Sequence, residues 1–210
     1  MNEESDDSDR LVAGLDRIAT FARMARWREA EPLGLTPTQM ACLSRLSARG
    51  PSRVTLLARL LGVTQATASD VVAALERKKL VERRPDPDDG RATRVRLTVA
   101  GAEIARQASR PPAALARAVA ALPAAESAGL HRALSRIILS LQQAGEIEPQ
   151  RLCLTCRFFR PYAHPDAEKP HHCAFVDAAF GDASLRLDCG DHEEAGPGEG
   201  ASALPSRVPA

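Results

Sequence analysis

The chain has 210 residues, of which 44% are hydrophobic and only 3% aromatic, with 28 Lys and Arg set against 27 Asp and Glu. That length suits one domain of ordinary size plus a smaller appendage, and an aromatic-poor composition rich in Ala and Leu favours helices over a β-sandwich. No run of about 18 apolar residues occurs, and the acidic opening MNEESDDSD is the reverse of a signal peptide's basic start, so the expectation is a cytoplasmic protein with no membrane partner.

The net charge of +1 hides an uneven distribution. Residues 1–9 carry five acids and no base, and residues 10–110 carry 19 Lys and Arg against 10 Asp and Glu. Residues 144–210 turn acidic again, 6 against 11. A basic block of domain size fits a polyanionic partner.

Along the chain, residues 1–9 read as an acidic disordered arm. Leu11, Leu15, Ile18, Phe21 and Met24 then recur at helical spacing, predicting an amphipathic helix over 10–30. Thr36-Pro37-Thr38-Gln39 is a helix start with a Thr cap, a Pro in the first turn and Gln three residues after the cap; that helix stops at Gly50-Pro51. Two short helices follow, 55–61 and 65–78, joined by Gly62-Val63-Thr64 in a helix-turn-helix pattern. Residues 80–84 and 93–97 flank the turn DPDDG and predict a β-hairpin. Thr98 caps a further helix that Pro111-Pro112 interrupts. Helical periodicity returns over 113–121 and 124–143, where Leu130, Leu134, Ile137, Ile138 and Leu141 make one apolar stripe. The last stretch, 193–210, is rich in Gly, Pro, Ser and Ala and reads as disordered.

From Leu35 to Ala105 the segments LGLTPTQMACLSRLS, LARLLGVTQATASDVVAALERKKLVER and DPDDGRATRVRLTVAGAEIA resemble, in order and spacing, the MarR family of winged-helix transcription regulators, and the likeness extends loosely over 10–145. The resemblance implies a mainly α fold with a small β-wing: a winged helix-turn-helix whose first and last helices form a homodimer. Such a dimer would bind a near-palindromic operator in double-stranded DNA. On the helix 65–78, Ala68, Val71, Val72 and Leu75 share the inward face. Thr64, Gln65, Ala66, Thr67, Ser69, Asp70 and Arg77 are the residues free to approach a major groove. Gln65 suits adenine, Ala66 a thymine methyl, and the N-terminal turn a phosphate. Two positions depart from the family pattern: Asp70 brings a carboxylate toward DNA, and Lys79 stands where relatives commonly have Gly. In the wing, the resemblance implies that Arg91 reaches the minor groove, braced by an aspartate. Arg94 and Arg96 share one strand face and are aimed at phosphate.

Four of the five cysteines form a separate pattern, Cys153-x2-Cys156-x16-Cys173-x15-Cys189, within a small cysteine-rich C-terminal metal-binding module at 151–192. Clustered cysteines in a reducing compartment point to a metal centre or redox thiols rather than disulfides. The spacing and neighbouring aromatics resemble the cluster-binding stretch of high-potential iron–sulfur proteins. That implies an iron–sulfur cluster, [4Fe-4S] in preference to [2Fe-2S], with zinc as the alternative. Phe158, Phe159, Phe175 and Phe180 are four of the five Phe residues, and so small a module needs such a nucleus. Cys42, among apolar neighbours on a helix, reads as buried packing.

The expected function is therefore a dimeric DNA-binding regulator whose tail senses redox state, iron or oxygen. The alternative is a MarR-like repressor answering to an unidentified small aromatic effector, its tail a structural zinc site. No Ser/His/Asp grouping or phosphate-binding Gly loop argues for an enzyme.

Overall fold

A computed structural model describes residues 3–196. Residues 1–2 and most of the segment expected to be disordered, 197–210, lie outside the described residues. Contacts divide the chain into two compact units, Met1–Ala120 and Ala121–Ala210.

The first unit runs α1 (Glu3–Ala30), α2 (Pro37–Arg49), α3 (Val54–Leu61), α4 (Gln65–Arg77), β1 (Val81–Asp86), β2 (Asp89–Leu97), α5 (Val99–Ala108) and α6 (Ala113–Ala120). Residues 3–9, expected as a disordered arm, instead continue α1 as helix, with Arg10 paired to Asp6 one turn back. The Thr36 capping box forms in both directions: Thr36 Oγ1 accepts from the Gln39 N–H and Gln39 Oε1 accepts from the Thr36 N–H. Gly62, at φ 64, ends α3, and Thr64 Oγ1 starts α4 by accepting from the Thr67 N–H at 3.1 Å. The core between these helices is built from Leu35, Leu43, Leu46, Leu57, Val72, Leu75 and Val95.

Two contacts fix the wing's base. Ser52 pairs with Val95 as an isolated bridge, its N–H donating to the Val95 carbonyl at 3.0 Å and its own carbonyl accepting at 2.8 Å, which ties the segment before α3 to the hairpin. Gly101 on α5 sits so close to β1 that a Cβ there would lie 1.8 Å from the Leu80 carbonyl oxygen. Arg26 of α1 donates to the carbonyls of Ala108 and Arg110, satisfying the open end of α5.

The second unit contains α7 (Ala124–Gln143), a 3-10 turn at Cys153–Thr155 and an antiparallel sheet in the order β3 (Phe159–Arg160), β4 (His171–Cys173), β5 (Ala178–Phe180). The stripe on α7 does not act as one surface. Ile138, with Leu139, packs against a core of Leu152, Leu154, Phe159 and Leu185, whereas Leu130, Ile137 and Leu141 stay exposed. Arg132 of α7 pairs with Asp182, which in turn accepts from the buried His171 at 2.9 Å. By contact, then, α7 belongs with the cysteine-bearing segment. Among the described residues no helix is long and apolar enough to cross a membrane.

Candidate nucleic-acid interface and cysteine pocket

Helix α4 presents two faces of opposite character. Ala68, Val71, Val72 and Leu75 are buried, while Thr64, Gln65, Ala66, Thr67, Asp70 and Arg77 are exposed and Ser69 is half-buried. Asp70 makes no ion pair among the described residues, so its carboxylate is free on the outward face. Beyond α4, Lys79, the residue at the position where relatives commonly have Gly, takes the left-handed conformation at φ 58. The Lys79 N–H donates to Glu76 and the Leu80 N–H to Leu75, a closing motif that ordinarily uses Gly.

The hairpin is held by charge. Asp86 sits at a register shift next to the tip, its carboxylate wholly buried, and it pairs with Arg53 at 2.7 Å and Arg94 at 3.0 Å. Burial pushes its pKa up, but the hydrogen bonds from Arg53, the Asp88 N–H and Arg94 outweigh that and hold the carboxyl at about 2. Arg94 also pairs with Asp88 at 2.6 Å, and Arg96 pairs with Glu82 at 2.6 Å. The two arginines expected to aim at phosphate are therefore engaged in bracing the wing. Arg91 differs: Asp89 accepts from its backbone N–H at 3.1 Å, and its exposed side chain makes no ion pair among the described residues. The brace for Arg91 acts on its backbone. Arg53, which the sequence reading did not single out, ties the start of α3 to both Asp86 and Asp89.

The second unit brings the four tail cysteines to one place. Cys153, Cys156, Cys173 and Cys189 all line a pocket of about 170 Å³, with Phe158, Phe159, Phe175 and Phe180 among its other walls. Cys153 opens the 3-10 turn and Cys156 follows its last residue, Cys173 ends β4 opposite Phe159, and the Cys189 N–H donates to the Arg151 carbonyl. Burial pushes the Cys153 thiol up, the Arg186 N–H opposes this, and the three neighbouring sulfurs add to the rise. Yet among the described residues no three His, Cys, Asp or Glu side chains converge as the ligands of a single ion would. Around one zinc, sulfurs would lie roughly 3.8 Å apart. None of the histidines lines the pocket: His192 meets Thr155, and His164 meets His172. Cys42 is fully buried in the first unit, and burial pushes its thiol up to about 12, which leaves it inert packing.

A helix-turn-helix followed by a charge-braced two-stranded wing defines the first unit as a winged helix-turn-helix. The MarR family model matches residues 35–93. The HTH-type transcriptional repressor NicR of Pseudomonas putida is 39% identical over 70 residues, 33% of this chain and 44% of the relative, so the match spans less than half of that curated protein's length. RV1404 from Mycobacterium tuberculosis is 27% identical with a TM-score of 0.52, covering 71% of this chain and 98% of that one. Apo MarR from E. coli is 25% identical with a TM-score of 0.52, covering 60% and 96%. These matches support a MarR-family winged helix-turn-helix transcription regulator.

Proposed function

We propose that the protein is a cytoplasmic, homodimeric regulator that binds a near-palindromic double-stranded operator, and that a cluster held by its tail cysteines modulates that binding. The observation that carries the DNA reading is the pairing of a polar, exposed α4 face with a rigid wing that leaves Arg91 free. Gln65, Ala66, Thr67, Ser69, Asp70 and Arg77 then face the major groove, and Arg91 the minor groove. One recognition helix binds weakly, and a dyad doubles the contact. Leu11, Ile18, Met24 and Trp27, each more than half exposed on α1, supply an apolar surface for a second copy. Repression as the direction of control is supported by the likeness to NicR, a transcriptional repressor.

Cys153, Cys156, Cys173 and Cys189 would hold the cluster. Four cysteines that line one pocket among phenylalanine rings are what supports an iron–sulfur core, with zinc the alternative. When bound, that group supplies a one-electron couple. The chain's own part is to shield it with phenylalanine rings and to order the tail around it. For the couple to control transcription, DNA affinity must differ between the two states by about 1–3 kcal/mol.

The test begins with protein purified without oxygen. Its absorption spectrum and its iron, sulfide and zinc content are measured, and a duplex is selected from a random pool for binding by anisotropy. Brown protein with an affinity that changes on oxidation or loss of iron supports the proposal. One zinc per chain with affinity indifferent to its removal would overturn the sensing role and favour the effector-responsive repressor. Binding without sequence preference would overturn the regulator reading itself.

A further inference from the structure

Resting on the cluster reading above, we propose that Arg186 and Asp191 act as opposed positioning charges that set the reduction potential of the group in the cysteine pocket. Both residues line that pocket. The Arg186 backbone N–H donates to Cys153 Sγ at 3.2 Å, and its guanidinium donates to Cys189 Sγ at 3.5 Å. One residue thus reaches two of the four sulfurs. Among the described residues no hydrogen bond reaches the sulfur of Cys156 or Cys173, so the donation is one-sided. Asp191 Oδ2 stands 4.0 Å from the same guanidinium and offsets part of its charge.

The chemistry follows from the sign of the charges. Reduction adds one electron to the cluster and no proton, and the added negative charge spreads onto the thiolate sulfurs. N–H donors and a nearby cation stabilise that state, whereas a nearby carboxylate destabilises it. Arg186 therefore raises the potential and Asp191 lowers it. Both side chains are about half exposed or more, so solvent screens the effect and the shifts are modest. The backbone donation to Cys153 survives any change of the Arg186 side chain.

The experiment is voltammetry on the anaerobically purified full chain, wild type beside R186Q, R186K and D191N, with the electrode supplying the electron. R186Q is expected to move the midpoint to a more negative potential, R186K to recover most of the difference, and D191N to move it positive. A fold defect common to the variants would not give shifts of opposite sign. If R186Q takes up no cluster, D191N still decides, because it keeps the arginine: a positive shift supports the assignment. Cluster-loaded variants with unmoved potentials, or with both shifts in one direction, overturn the assignment and leave the cluster reading standing. A wild-type protein without iron overturns both.

Discussion

Asp86 shows how much one side chain can organise. A carboxylate with no exposed surface survives as an anion only because Arg53, Arg94 and a backbone N–H converge on it. Its folded pKa lies below its unfolded value of about 3.9, so its stabilising contribution is full above that value and is lost as pH falls toward about 2. The stability gap between wild type and Asp86→Asn, followed by chemical denaturation, should shrink across that window; a gap constant with pH would contradict the assignment. Lys79 makes the opposite case, a side chain the backbone would rather lack. Lys79→Gly removes left-handed strain of about 1–2 kcal/mol but loosens the unfolded chain by part of that. Thermal melts should therefore show a gain of up to about 1 kcal/mol. On DNA, Arg91→Ala should weaken binding and lower the salt slope by about 1, the signature of a lost backbone contact. Arg94→Ala should act first through the wing's stability, read as a lower melting temperature of the free protein.

Among the elements, α5 and the start of the wing meet in a tight joint. Gly101→Ala forces a methyl group into the Leu80 carbonyl and should destabilise the first unit by about 1–3 kcal/mol, measured by urea unfolding. Such joints are hard to find in a sequence, because the pattern VAGAEIA looks like any small-residue helix turn until β1 is laid against it. Helix boundaries were legible for the reverse reason: Thr36, Gly62, Thr64 and Thr98 cap or stop helices through bonds within a few residues of themselves. The small sheet in the tail escaped the same reading because β3, β4 and β5 span only two or three residues each, too short for any alternation to appear. Arg53 was missed because its partners lie more than thirty residues away.

At the scale of the whole molecule, the two units rest on different physics. The first has an apolar core of interlocked helices, whereas the second adds to a smaller apolar core a pocket walled by rings and sulfurs. Calorimetry should show two transitions, with the second moving to lower temperature on chelation and the first unmoved. A single transition indifferent to chelator would deny the tail any dependence on a bound group. The placement of α7 was not legible from its stripe, since periodicity says that a helix has an apolar face and not which neighbour covers it. Chain order adds a temporal consequence. The helical unit closes at Ala120, but the pocket's last sulfur, Cys189, emerges about 70 residues later. At roughly 5–20 residues per second, the ribosome releases a finished reading head several seconds before its last sulfur exists. Every newly made molecule therefore begins life with its helical half complete in sequence while the cysteine pocket still lacks a wall.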